Sequence, residues 1–246
     1  MVQMRFENRI AVVTGATRGI GREIALQLGK GGAKVCTVGS SESGLAVLKN
    51  DFLLQGIEID TYACDVSDEG RVNAVASEIL EKYGRVDILV NNAGLWRTGN
   101  AFFAESDSEN WRRKIDINIL GTMYFCRAVI NSMIERRFGR IINIASVAGV
   151  YGIRSMTDYS MTKGAIISFS LALAKEVTEY GVTVNCVSPG NILSDETKES
   201  DNPQLSFAGR SGTNTECANV VSFLASDEAS YVSGQNYAVD GCRKLM

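Results

Sequence analysis

The sequence predicts an α/β protein built as one doubly wound parallel sheet with helices on both faces. Three observations carry this. Apolar runs of strand length alternate with helix-length amphipathic segments almost from end to end of the 246 residues. These runs are apolar continuously rather than at alternate positions, as strands covered on both faces are. A glycine-rich turn, Thr14-Gly15-Ala16-Thr17-Arg18-Gly19-Ile20-Gly21, joins the first run to the first helical segment. In such sheets crossovers are right-handed, and ligands sit at the carboxyl ends of the strands near the switch in strand order.

Ile10 to Val13 is the first strand, and a helix begins near Gly19 and closes at Gly31-Gly32, as helices with glycine caps do. Lys34 to Val38 reads as strand, Leu45 to Leu54 as helix, Glu58 to Ala63 as strand and Glu69 to Tyr83 as helix. Val86 to Val90 is a fourth strand ending in Asn91-Asn92-Ala93-Gly94. One long helix from about Glu109 to Arg136 precedes the strand Arg140 to Ala145. A helix over about Tyr159 to Glu179, the strand Val182 to Val187, a helix near Glu216 to Ala225 and the strand Asn236 to Val239 complete the order. One domain is expected over 1–246. Between Pro189 and Pro203 the chain is almost wholly polar without helical periodicity, so 191–208 reads as a short lid on the ligand side.

Composition excludes several classes of chemistry. The chain contains no histidine, so Ser-His-Asp and Cys-His nucleophiles and imidazole zinc sites are ruled out. No metal site is expected, and acid–base work falls to Tyr, Lys, Asp, Glu or Cys. Six cysteines lie far apart with no C-x-x-C, the pattern of reduced thiols in apolar settings and a cytoplasmic location. A balance of 25 basic and 28 acidic residues disfavours nucleic acid and anionic membrane as partners. Neither a secretory leader nor a run of membrane-spanning length is expected.

Glycines between a strand and a helix permit a tight turn, so that amides at the helix N-terminus approach a pyrophosphate. A turn that only allows close strand–helix packing is the competing reading. An NAD site often carries an acidic residue at the end of the second strand, for the ribose 2′-hydroxyl. Here Gly39-Ser40-Ser41 stands there instead, with Arg18 in the turn. A guanidinium and two hydroxyls suit a 2′-phosphate, which favours NADP(H) and leaves NAD(H) as the alternative. Arg18 as a plain surface charge is the other reading. Tyr159 and Lys163 stand four apart on one helical face. An ammonium beside a phenol stabilises phenolate and lowers its pKa, making tyrosine a usable acid–base group. Ser146 closes the fifth strand, where its hydroxyl can hold a carbonyl oxygen.

Thr14 to Gly21, Asn91-Asn92-Ala93-Gly94, Asn118, Ser146, Tyr159/Lys163 and Ser188-Pro189-Gly190 resemble the ordered motifs of the short-chain dehydrogenase/reductase family, with its Rossmann fold. The resemblance covers essentially the whole chain and is greatest to the 3-oxoacyl-[acyl-carrier-protein] reductases. It implies Tyr159 as general acid in reduction, Lys163 as its partner and a holder of the nicotinamide ribose, and Ser146 on the substrate oxygen. It implies Asn118 ordering a water beside Lys163. For the cofactor it implies Gly15, Thr17, Gly19, Ile20 and Gly21 in the turn, Asp65 and Val66 at the adenine, and Asn92, Ala93 and Gly94 at the adenosine ribose. Pro189, Gly190 and Ile192 lie against the nicotinamide by the same resemblance. It further implies hydride transfer with a carbonyl or secondary alcohol, and a homotetramer. A nucleotide-sensing binding protein on the same fold is the rival class; it typically lacks the tyrosine or lysine kept here.

Two departures weigh on an acyl carrier protein as partner. Of two basic positions that face that acidic protein, one matches Arg137, beside Arg136, and the other is Tyr180. The segment after Pro189-Gly190 looks shorter than in the relatives and is acidic, with Asp195, Glu196, Glu199 and Asp201. A small ketone, sugar or steroid is the alternative substrate. Trp96, Arg97, Arg154 and Asp158 are pocket candidates, each with surface placement, or a solvated carboxylate for Asp158, as the plainer expectation. The helix after Lys163 is apolar nearly all round, as a helix covered by both sheet and neighbouring subunit is.

Overall fold

The computed structural model describes residues 4–96, 99–193 and 202–244. Its strands are β1 (Ile10–Thr14), β2 (Lys34–Gly39), β3 (Ile59–Ala63), β4 (Ile88–Asn91), β5 (Gly139–Ile144), β6 (Val182–Pro189) and β7 (Asn236–Val239). All pair in parallel in one seven-stranded sheet of order β3-β2-β1-β4-β5-β6-β7. This is the doubly wound sheet that the sequence predicts. The order reverses between β1 and β4, so the carboxyl ends of these two strands flank the crevice where such sheets bind ligands.

Helices α1 (Gly19–Lys30), α2 (Glu42–Leu54) and α8 (Asn214–Ala225) lie on one face, and α3 (Glu69–Tyr83), α5 (Gly121–Glu135) and α7 (Thr157–Val177) on the other. Short helices α4 (Ser108–Lys114) and α6 (Ala148–Tyr151) sit above the carboxyl edge. The strands feed two cores by strict alternation. Ala11 and Val13 pack with Ile24, Leu28, Phe52 and Leu224, while Ile10 and Val12 pack with Val75, Ile79, Phe125 and Met133. Five cysteines are buried and only Cys242 is exposed. Burial pushes the Cys36, Cys126 and Cys217 thiols up to about 12, which leaves them unreactive.

The long helix expected over Glu109–Arg136 is broken in register. Between α4 and α5 runs a six-residue π turn, Ile115–Leu120. Such turns carry one extra residue per turn and recur at functional sites. The Thr122 hydroxyl donates to the Asn118 carbonyl at 2.9 Å, and the backbone of Leu95 grips the Asn118 side chain from the neighbouring loop. Helical periodicity in sequence does not register a slip of this kind. The stretch Ser108–Glu135 is long and apolar enough to cross a membrane by length and composition alone, a test that the core helix of a folded domain also passes. Its Phe125, Cys126, Val129 and Met133 pack in the second core.

At the amino edge of the sheet, Asp87 is fully buried. It accepts from Ile10 N at 2.8 Å, from Arg136 at 2.8 Å and from Arg85 Nε at 3.1 Å. Arg136 is therefore committed to the fold, and of the two adjacent arginines only Arg137 is exposed. Asp87→Ala strands the Arg136 guanidinium and the Ile10 amide, so it is expected to cost about 3–5 kcal/mol, read as a lower denaturant midpoint with unchanged slope.

Candidate active site

The site is assembled from chain leaving the carboxyl ends of β1, β4, β5 and β6. Gly15 takes φ +63°, and a Cβ there would stand 2.8 Å from the Ala93 Cα. A Cβ on Gly21 would collide with the Asn92 side chain and the Gly15 carbonyl. The Asn92 amide donates to the carbonyls of Thr14 and Gly15 at 3.1 and 3.0 Å. The Thr14 hydroxyl accepts from the amides of Asn92 and Ala93, both at 3.0 Å. The glycine turn and the Asn-Asn-Ala-Gly turn are thus laced into one unit.

Gly19 opens α1 at φ +56°, with no atom within 4 Å of where its Cβ would be. Arg18, the preceding residue, supplies no side-chain cap to that helix. A helix N-terminus that opens onto space is a shelf for anionic oxygens, so the turn fits a dinucleotide pyrophosphate. Thr17 packs against Gly39, 3.0 Å from its virtual Cβ, which brings the end of β2 beside the turn. Arg18, Ser40 and Ser41 are all exposed on this rim. Ser41 also accepts from Gly44 N at 3.1 Å and caps α2, which is why that helix starts at Glu42 rather than Leu45. Asp65 turns its carboxylate onto Ser67 at 3.0 and 2.7 Å, and Val66 packs under it against Gly121.

Ser146, Tyr159 and Lys163 converge at the far side. Ser146 follows β5 and accepts from Ala148 N at 3.1 Å, which holds its hydroxyl toward α7. Burial raises the Tyr159 phenol above its ordinary value, and a hydrogen bond between it and Ser146 draws it partly back. Lys163 is buried, and its ammonium donates to the Ile144 carbonyl at 2.7 Å, 5.8 Å from the Tyr159 ring centroid. Burial pushes Lys163 down to about 8. The expectation from sequence is a phenol lowered by the lysine; in the fold, desolvation is the largest cause of the shift at each group.

Asn118 accepts from Leu95 N at 2.7 Å and donates to Leu95 O and to the Thr162 hydroxyl, each at 3.0 Å. A Cβ on Gly94 would stand 3.3 Å from Asn118 Oδ1 and 3.4 Å from Lys163 Nζ. Only glycine lets these two polar groups approach the loop so closely. The Val147 amide bonds the Pro189 carbonyl at 3.2 Å, Gly190 N bonds Val239 O at 2.9 Å, and Ile192 bridges to Gly212. These contacts hold Pro189, Gly190 and Ile192 beside the Ser146 loop.

Of the segment 191–208, residues 194–201 lie outside the described residues, as do their acidic side chains and Arg97. Trp96 is 45% exposed, and the Arg154 guanidinium lies 4.9 Å from the centroid of Phe102. Asp158 is not solvated: its carboxylate pairs at 2.7 Å with Lys114, whose side chain is wholly buried. Sequence reasoning missed Lys114. The available signal was a lysine four residues before Asn118, on the core-facing side of its helix.

Residues 9–205 match the family model described as short chain dehydrogenase, and the chain belongs to that family. It is an oxidoreductase that moves hydride between a nicotinamide cofactor and a carbonyl or secondary alcohol. Among individual relatives, it is 41% identical over 244 residues to the 3-oxoacyl-[acyl-carrier-protein] reductase of Escherichia coli, covering 97% of this chain and 98% of that one. The same reductase from Thermotoga maritima is 35% identical over 246 residues, with the same coverage. Among solved structures, levodione reductase superposes with a TM-score of 0.92 at 31% identity, over 96% of this chain and 98% of that one. A putative gluconate dehydrogenase from Agrobacterium tumefaciens gives 0.91 at 31% identity, over 98% of both.

Lys163 titrates near 8 in the fold and at its ordinary 10.5 when unfolded. Between those values the unfolded chain holds more protons, so stability rises with pH there. The difference in Tm between the parent and Lys163→Met is expected to be flat below pH 7 and to move in the parent's favour from pH 8 to 10.

Proposed function

We propose that this chain is a cytoplasmic NADPH-dependent reductase of 3-oxoacyl thioesters, working as a homotetramer. The convergence of Ser146, Tyr159 and Lys163 beneath the Asn118 loop carries the chemistry. The identity to 3-oxoacyl-[acyl-carrier-protein] reductases over nearly the whole chain supports the substrate class.

Gly15, Thr17, Gly19, Ile20 and Gly21 hold the pyrophosphate of the cofactor, and Arg18 with Ser40 and Ser41 meets a 2′-phosphate. Asp65 and Val66 border the adenine, and Asn92, Ala93 and Gly94 the adenosine ribose. Pro189, Gly190 and Ile192 back the nicotinamide, which supplies the hydride. The Ser146 hydroxyl donates to the carbonyl oxygen and fixes its direction. Tyr159 keeps its proton at neutral pH because burial raises the phenol, so it is loaded as the acid that protonates this oxygen. Lys163, near 8, carries a proton at the same pH and stabilises the phenolate left behind. Asn118 orders a water beside Lys163 through which the proton is replaced.

A second reading, a small ketone rather than a carrier-bound chain, rests on the docking surface. Of the two basic positions, Arg137 is present and exposed but the other is the uncharged Tyr180, so half of the docking charge is missing. The tetramer is supported by α5 and α7, which share an apolar groove lined by Leu120, Met123, Tyr124, Ile130, Phe169 and Leu173. Met123, within that groove, is 39% exposed. A monomeric mass by light scattering at micromolar concentration rules the tetramer out.

Tyr159→Phe is expected to lower kcat about 10³-fold, with the Kd for NADPH within about threefold of the parent; near-parental turnover sinks the assignment. Ser40→Asp sets a carboxylate against the 2′-phosphate and is expected to raise KM for NADPH roughly tenfold or more, leaving KM for NADH little changed. A panel of acetoacetyl-coenzyme A, ketoses, steroids and simple ketones, followed by NADPH absorbance, separates the two substrate readings. Tight NADPH binding without turnover of any of them favours a nucleotide sensor.

A further inference from the structure

Tyr159 is the third residue of α7, in the turn of a helix that is held least. Its N-cap, Met156, offers no side-chain hydrogen bond and has φ −131° and ψ 39°. Just before it Ser155 adopts φ +60°. Nothing in the helix's own cap therefore accounts for a fixed tyrosine.

Asp158 does. One carboxylate oxygen accepts from the Tyr159 amide at 2.7 Å and the other takes the Lys114 ammonium at 2.7 Å. Lys114 is the last residue of α4 and has no exposed surface; the Asp158 side chain is 10% exposed. One turn further along both helices, Asn118 bonds Thr162, whose hydroxyl also donates to the Tyr159 carbonyl at 2.8 Å. The two links, 114 to 158 and 118 to 162, form rungs, and Tyr159 and Lys163 each follow a rung by one residue. Burying a lysine–aspartate pair is seldom the most stable solution, since apolar side chains of like size do as well or better. What the pair adds is a fixed distance between α4 and the amide of Tyr159.

We propose that Lys114 and Asp158 are positioning residues for Tyr159: their buried ion pair holds the first turn of α7 in the register that proton transfer needs. This rests on Tyr159 being the proton donor. The test is Lys114→Met with Asp158→Asn, which leaves no unpaired charge and keeps an oxygen for the Tyr159 amide. Tm is expected within a few degrees of the parent and NADPH Kd within about twofold, because the glycine turn is untouched. With acetoacetyl-coenzyme A, or whichever ketone of the panel is turned over, kcat is expected to fall about 10- to 100-fold. A pair that serves stability alone predicts recovery of both Tm and kcat in the double variant, and parental kcat there overturns the proposal. Asp158→Glu keeps the charge and lengthens the arm by one methylene. It is expected to fold normally with kcat down about tenfold, and decides the matter if the double variant does not fold. Failure of both variants to fold makes the pair structural and overturns the proposal as well. An inactive Tyr159→Phe beside a fully active double variant sinks only the positioning role, whereas an active Tyr159→Phe sinks the catalytic reading itself.

Discussion

The structure depends on the join between β1 and β4, where the sheet changes direction. Two neighbouring strands whose chains leave to opposite faces open a crevice, and something must close its floor. Here that is one amide side chain and one hydroxyl: Asn92 spans the Thr14 and Gly15 carbonyls, and Thr14 takes the amides of Asn92 and Ala93. These bonds satisfy backbone groups that would otherwise end unpaired at the strand termini. They also force glycine at 15 and 21, because any Cβ there meets the same asparagine turn. The shelf at the start of α1 and the loop that carries Gly94 are consequences of this one tie.

From that loop the constraint passes on. Gly94 lets Asn118 and Lys163 approach, Asn118 links to Thr162, and Thr162 bonds back to the Tyr159 carbonyl. The polar residues of the far side are therefore buried without being orphaned, which is the condition under which a network inside a protein is worth its desolvation. Their charges are adjusted by the same burial. Burial lowers the lysine to about 8, so it still carries its proton at neutral pH, and raises the phenol above its ordinary value, so it stays neutral.

Much of this was legible in the sequence, for definite reasons. Two-sided apolar strands and a glycine turn point to one architecture. The absence of histidine narrowed acid–base work to Tyr, Lys, Asp, Glu or Cys, among which the four-residue spacing and the resemblance singled out Tyr159 and Lys163. The strands end within two residues of the expected positions, and Ser146 follows β5. What escaped it was geometry that leaves no mark on residue type. Asp158 read as a solvated carboxylate because its partner is 44 residues away on another helix. Arg136 read only as the neighbour of Arg137, though Asp87 claims it from the far end of β4. Ser41 was assigned to the cofactor alone, although its hydroxyl also caps α2.

The π turn at Ile115–Leu120 gives the long helix a slip in phase. An α-helix advances ~100° per residue, so winding these same residues as a regular helix would swing everything after them by about that angle. The buried stripe of α5, from Phe125 to Met133, would then face away from the sheet. The irregularity at Asn118 is thus locked in by the hydrophobic face that follows it: the helix cannot be straightened at the active site without unseating it from the core.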